Sequence, residues 1–412
     1  MSVQYHTGLD IGTASIKAVV VEDRGHMLIP RLFLRETSAG MKKGAVADPA
    51  ELALYLERVL VQVRSFSRSA LRSVFVVIGT HQVKAQNSRG IVAVSQAGGE
   101  ISRDDIERVV KASEAVNVGV NRTIIHNVIR EFTVDGVPDI TDPLGLSGSR
   151  LEVSSLLVDA FEPHVKSLLR VVELAGGRVT GLVFAPLASS AAVLSKSQKE
   201  IGTAVIDLGG GTTGLAVYEE HKLLGVSKFP VGSANISRDL AVGLKIPVAA
   251  AEAIKLQHGH ALAREAGSRE HVNLSEFCPG LPGSVSRRVV AEIIESRLAE
   301  ILEMVDNELK VLGKSGQLAG GAVLVGGGAK MPGLTDLARR ELQLSTQIGS
   351  PLTDGWQMGE SDLIAYFEDP EFTCSLGVLL VGLERDAVRT ASTPGQGRFR
   401  YMLRRVLRAV MP

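Results

Sequence analysis

A short apolar strand that ends in aspartate and breaks at glycine and threonine occurs once in each half of this chain. The first copy is Gly8-Leu9-Asp10-Ile11-Gly12-Thr13, and the second is Ile206-Asp207-Leu208-Gly209-Gly210-Gly211-Thr212-Thr213. An apolar run follows each turn, Ile16 to Val21 in the first and Leu215 to Tyr218 in the second, so each copy reads as a β-hairpin. One such turn is an ordinary use of Gly and Asp in a hairpin loop. Repetition of the whole order, strand then Asp then Gly then Thr, implies a duplicated core.

The residue types also fit one chemistry. Glycine leaves backbone amides uncovered, so those of Gly12, Thr13 and Ala14 can converge on phosphate oxygens as an anion nest, with Lys17 adding charge. Gly209, Gly210, Gly211, Thr212 and Thr213 repeat the device. Asp10 and Asp207 would face the same anion, which is tolerable with a cation between them. Mg²⁺ favours such a place, since it binds through one or two carboxylates together with phosphate oxygens and retained waters. A third turn differs: Ala322 to Val325 runs into Gly326-Gly327-Gly328, and a helix from Leu334 to Leu342 follows Pro332-Gly333. Small residues there let a flat base or ribose lie against the backbone. The expected ligand is a nucleotide with Mg²⁺.

Taken together, these motifs resemble those of the actin-like ATPase superfamily, and within it the chain is similar to the bacterial FtsA family of cell-division proteins. The likeness covers nearly the whole length. It includes Asp142-Pro143-Leu144-Gly145-Leu146-Ser147-Gly148, Leu187-Ala188-Ser189-Ser190, Ala251 to Lys255 with His258-Gly259, and Ser375 to Leu379. The resemblance implies an α/β, actin-like (ribonuclease H-like) two-lobed ATPase fold with an inserted α/β subdomain and a C-terminal amphipathic helix. It implies self-assembly into filaments and contacts of the inserted subdomain with other division proteins. It places Glu252 and Lys255, three apart on one helical face, on the ribose or adenine side of the cleft; a surface ion pair is the plainer reading. It also implies that a subdomain carrying Arg287, Arg288 and Arg297 receives the acidic C-terminal tail of the tubulin-like protein FtsZ, where arginine can pair bidentately with carboxylate; as residues alone, these are ordinary solvated helix charges.

Two departures from the superfamily pattern bear on catalysis. Relatives of the Hsp70 type carry a glutamate before the proline of the lobe-connecting segment, where this chain has Ala185-Pro186. Many superfamily members carry an aspartate after the second threonine pair, and this chain has Gly214. Phosphoryl transfer depends on positioning and charge stabilisation. At most a weak ATPase is expected.

At 412 residues the chain exceeds one ordinary core. The strand and helix patterns divide it into 1–80 with 165–197 as a first lobe, 81–164 as an inserted α/β unit, 198–228 with 313–385 as a second lobe, and 229–312 as a mostly helical part of that lobe. A linker at 386–397 and a helix at 398–412 complete the expected order. Hydrophobic residues make up 45% and charged residues 22%, a globular composition, and Cys278 and Cys374 have no metal-type spacing. No run approaches the length needed to cross a bilayer, and no secretion signal is evident at the start.

Basic and acidic residues balance at 45 each, yet Arg398, Arg400, Arg404, Arg405 and Arg408 crowd the end of the chain without an acid. In a helical projection Phe399, Met402, Leu403, Val406 and Val410 share one face, with Leu407 at its edge. That is the pattern of an interfacial anchor on anionic membrane lipids, joined by a tether through Thr390 to Gly397. A terminal helix packed on its own domain is the plainer alternative. Nucleic acid is not expected as a partner, because no aromatic stacking set accompanies the arginines. The expected location is the cytoplasmic face of the cell (inner) membrane, peripheral, at the division site. Competing expectations are a PilM-like pilus-assembly scaffold and a small-molecule kinase of the same superfamily; an Hsp70 chaperone would need a β domain after residue 385.

Overall fold

The computed structural model describes residues 3–391 apart from 26, 96, 97, 281 and 360. The expected membrane helix at 398–412 and the linker beyond Ala391 lie outside the described residues.

Two five-stranded sheets share one topology. In the first, the order is Val179–Phe184, Val74–Ile78, Gln4–Ile11, Ser15–Asp23 and Leu28–Thr37. In the second it is Thr346–Ile348, Ala322–Val325, Thr203–Leu208, Thr213–Glu219 and Lys222–Phe229. Each central strand pairs antiparallel with the strand that follows it and parallel with one from later in the chain. The inner parallel strands Val74–Ile78 and Ala322–Val325 are buried at every position, as unbroken apolar runs covered on both faces should be. The repeated hairpins of the sequence are therefore the starts of two equivalent sheets.

Helices flank the sheets for local reasons. Pro49–Phe66 starts at Asp48, whose carboxylate accepts from the amides of Ala50 and Glu51, with Pro49 at the first helical position. Leu52, Leu56, Val59, Leu60 and Val63 then recur at helical spacing and are buried in the first core. In the second lobe Ser233–Leu244, Val248–His258 and Arg287–Val311 cover the sheet, Ile236, Leu240, Ile254, Ile294 and Leu298 joining its core.

The last helix corrects the expected domain division. Thr373–Ala391 lies on the first lobe: Phe372, Cys374, Leu376, Val378 and Leu379 belong to the same core as Leu9 and Phe75. Glycine makes the approach close. A Cβ on Gly8 would lie 2.1 Å from the Ser375 carbonyl oxygen, and one on Gly377 would lie 1.8 Å from that of Ala188. From Trp356 onward, then, the chain has returned to the first lobe, and the assignment of 313–385 to the second does not hold for its final part. The same helix runs through 386–391, which were expected to be linker.

The inserted unit is an antiparallel sheet in the order Val83–Ala93, Arg150–Phe161, Arg122–Val134 and Val137–Ile140, with helix Arg103–Ser113 packed on it. Its own core contains Ile101, Val109, Phe132, Val134, Leu151 and Val153. Ser102 and Asp105 form a capping box at the start of that helix, as the acids there foreshadow. The unit is tied to the second lobe at the beginning of strand Lys222–Phe229. Arg130 donates to the carbonyl oxygens of Leu223, at 2.7 Å, and Leu224. Lys222 pairs with Glu131 at 2.7 Å and Asp139 at 2.6 Å.

Candidate functional site

The two hairpin turns face one another across a cavity of about 520 Å³ between the lobes. Asp10, Gly12, Thr13, Ala14, Lys17, Asp207, Gly209, Gly210, Gly211, Thr212, Glu252, Lys255, Gly326, Gly327 and Gly328 all line it. Sequence reasoning missed Ser15, Lys228, Glu371 and Cys374, which line it too.

Backbone geometry explains how the second turn is aimed. The carbonyls of Gly209 and Gly210 accept from Ser233 N at 2.9 Å and Ala234 N at 2.8 Å, at the first turn of helix Ser233–Leu244. Across a trans peptide the N–H points opposite to the C=O, so the amides of Gly210 and Gly211 are directed away from that helix. The tips of the two turns touch: a Cβ on Gly210 would lie 2.7 Å from Ala14 Cβ, and one on Gly211 would lie 2.6 Å from Thr13 Oγ1. Glycine at 210 and 211 lets the second turn come this close to Thr13 and Ala14.

Each aspartate has its own lysine. Lys17 Nζ donates to Asp10 Oδ2 at 2.7 Å, and Lys228 Nζ to Asp207 Oδ2 at 3.3 Å. Burial works against the Lys17 ammonium, yet the Asp10 carboxylate beside it raises the pKa above the ordinary lysine value. Cys374 Sγ lies 3.6 Å from Asp207 Oδ2 and 3.0 Å from Ser189 Oγ. Burial pushes this thiol well up, and the Asp207 and Asp10 carboxylates push it further, so it is held protonated and is a poor nucleophile. Glu371 accepts from Ser15 Oγ at 2.9 Å and from Arg35 Nε at 2.9 Å; burial raises its pKa, but the charges of Lys17 and Arg35 and the Ser15 bond hold it low.

On the second lobe, Lys255 donates to Glu252 at 2.7 Å, to Ser237 Oγ at 3.0 Å and to the Ser233 carbonyl oxygen at 3.3 Å. Its side chain is only 5% exposed, so the lysine is a fixed element of the cleft wall, while Glu252 is 43% exposed. Gly326 has φ +84°, and a Cβ there would lie 2.6 Å from Asp207 Oδ1.

Thr213 does not belong with the others. Its side chain is fully buried and donates to the Val231 carbonyl oxygen at 2.8 Å, because successive residues of a strand point to opposite faces and Thr212 takes the cleft side. The three arginines lie away from the cleft, each with an internal carboxylate partner: Arg287 with Glu270 at 2.6 Å, Arg288 with Glu292 at 3.2 Å, and Arg297 with Asp239 through two bonds of 2.5 and 3.0 Å.

Among the described residues no cluster of three or more His, Cys, Asp or Glu is arranged to hold a metal by itself. Two carboxylates beside a phosphate-sized turn suit Mg²⁺, which takes its remaining ligands from phosphate and water. No helix among the described residues is long and apolar enough to cross a membrane.

Two sheets of one topology, closing over a cavity at their duplicated Asp-Gly turns, define an actin-like protein. A family model described as "Cell division protein FtsA" matches residues 204–377, and one described as "SHS2 domain inserted in FTSA" matches 80–158. The Bacillus subtilis (strain 168) cell division protein FtsA is 34% identical over 376 residues, covering 91% of this chain and 83% of that protein. The chain belongs to the FtsA family of cell division proteins. Among solved structures, the PilM-PilN type IV pilus biogenesis complex matches with a TM-score of 0.65 at 19% identity, covering 92% of this chain and 98% of that one. MreB5 of Spiroplasma citri bound to ADP matches at 0.54 and 14%, covering 95% and 99%. At these identities the likeness is one of fold.

Proposed function

We propose that this chain binds ATP with Mg²⁺ in the cleft, assembles with itself on the cytoplasmic face of the cell membrane at the division site, and anchors FtsZ filaments there. One observation carries the reading: a single cavity of about 520 Å³ is lined by all three glycine turns and both aspartates. Gly12 to Ala14 and Gly209 to Thr212 would surround the phosphates, and Asp10 and Asp207 would hold the ion. Glu252, Lys255 and Gly326 to Gly328 bound the ribose and base. The metal, when bound, neutralises phosphate charge. Among this chain's own residues, Ala185 lines the cleft just before Pro186 and offers no group to orient an attacking water, which supports nucleotide binding with slow hydrolysis.

Residues 398–412 supply a weak amphipathic anchor on anionic lipids, made effective by the many copies carried on one filament. The FtsZ C-terminal tail docks on the helical part of the second lobe around Arg287, Arg288 and Arg297, and the inserted unit recruits later division proteins. In that unit Leu144 and Leu146 stand exposed on a loop pinned to Ile101 by bonds of 2.9 and 2.8 Å. The test mixes purified protein with vesicles containing anionic lipid, with and without ATP, and adds an FtsZ tail peptide. ATP-dependent, cooperative vesicle binding that captures the peptide is expected. Vesicle binding without peptide capture, or no response to ATP, overturns the corresponding part.

A further inference from the structure

The two carboxylates of the cleft obtain their cations by different routes. Asp10 and Lys17 are register partners on adjacent strands. In the second hairpin the register partner of Asp207 is Gly214, and Gly214 in turn stands opposite Lys228 on the next strand out. The lysine therefore crosses over a glycine to reach the aspartate. A Cβ on Gly214 would lie 3.0 Å from Pro186 Cγ, 3.1 Å from Lys228 Nζ and 3.3 Å from its Cδ, so a side chain at that position crowds the path.

What the lysine does at the end of that path is informative. Its side chain is 3% exposed, it lines the cleft, and Asp207 Oδ2 at 3.3 Å is its one hydrogen-bond partner among the described residues. An ammonium carries three donors, and a buried donor without an acceptor costs free energy. Lys255, buried to a similar degree and also on the second lobe, has three partners. Lys228 thus has donors to spare in the cleft, as does Lys17, whose side chain is 11% exposed and whose one partner among the described residues is Asp10.

The geometry points to Lys228 as a specificity-determining residue: it donates to the terminal phosphate of a nucleoside triphosphate, with Gly214 keeping the route clear. Discrimination of triphosphate from diphosphate then resides partly in a fixed protein charge. This assignment rests on the nucleotide reading of the cleft.

The test uses the full chain and the variants Lys228→Met and Gly214→Asp, the second leaving the lysine in place but giving it a competing carboxylate. Affinities for fluorescent ATP and ADP analogues are measured with Mg²⁺ and with excess chelator, and folding is checked by thermal melting. Lys228→Met is expected to lose about tenfold in ATP affinity, the worth of one charge-assisted hydrogen bond, and less than about twofold for ADP. Gly214→Asp is expected to lower the ATP-to-ADP ratio in the same sense, which keeps the proposal testable if the first variant does not fold. An unchanged ratio, or tighter Mg²⁺-dependent ATP binding by Lys228→Met, overturns the assignment while the nucleotide reading stands. Failure of the unaltered protein to bind either nucleotide overturns both.

Discussion

Asp10 and Lys17 face each other directly across the first hairpin, joined by a 2.7 Å hydrogen bond between register partners that are both largely buried. The pair fixes where positive charge stands at the mouth of the first turn. Lys17→Met is expected to lower ATP affinity by roughly 10- to 100-fold, or about 1.4–2.7 kcal/mol, the range of a hydrogen bond to a charged group. A nucleotide titration that finds the affinity unchanged would show that Lys17 serves Asp10 alone.

Gly326→Ala is expected to damage both stability and binding. The position needs φ +84°, and the added methyl would meet Asp207 Oδ1 at 2.6 Å. Strain of this kind costs about 1–3 kcal/mol. A lowered melting temperature together with weaker ATP binding is the expected result, and a variant that melts and binds normally would refute the close packing of the third turn on Asp207.

Acid should loosen the inserted unit through Asp105. Its buried carboxylate accepts from Ser102 Oγ at 2.6 Å, Ser102 N at 2.9 Å, Ser95 Oγ at 2.7 Å and Ser95 N at 3.0 Å, and pairs with Arg108. Hydrogen bonds from Ser102, ahead of the burial that opposes them, hold its pKa well below the ordinary value of 3.8. A depressed folded-state pKa means stability that is present above 3.8 and is lost as pH falls through that value toward the folded-state pKa. Asp105→Asn should therefore be less stable than the parent at neutral pH by about 1–3 kcal/mol, and the difference should shrink in acid. Denaturant unfolding at several pH values measures it; a difference that stays constant into acid would contradict the sign.

Removing 398–412 should release the protein from anionic vesicles and leave nucleotide binding intact. Val406→Glu, which puts a charge on the apolar face, should do nearly the same. Flotation with vesicles reads both, and normal flotation of either variant removes the anchor.

Hydrolysis should be slow. Ala185 stands in the cleft where a carboxylate would be needed to orient water, so steady-state phosphate release at tens of turnovers per second would refute the reading.

The sequence announced the turns and hid their neighbours, for physical reasons. Glycine and aspartate at a strand end are local signals, so Asp10, Gly12 and Asp207 through Thr212 were legible, and the period of a strand separates Thr212 from Thr213 once its boundaries are known. Lys228 reaches Asp207 only through the register of three strands, and nothing local in Val226-Ser227-Lys228-Phe229 reveals it. Glu371 and Cys374 reach the cleft because the chain returns to the first lobe before its last helix, a long-range packing event that also defeated the boundary drawn at 385. The inserted unit was visible as a change of pattern. Its attachment through Arg130 and Lys222 was not, since their partners are backbone carbonyls and acids far along the chain.

Strand Lys222–Phe229 has one lysine near each end, and the two report to different places: Lys222 to Glu131 and Asp139, Lys228 to Asp207. At about 3.3 Å per residue the strand is a rod of roughly 20 Å between those anchorages. Swinging the inserted unit against the second lobe must bend that rod or tear out its Lys222 end. Any load on the inserted unit is therefore carried by the same strand that holds a charge in the crevice.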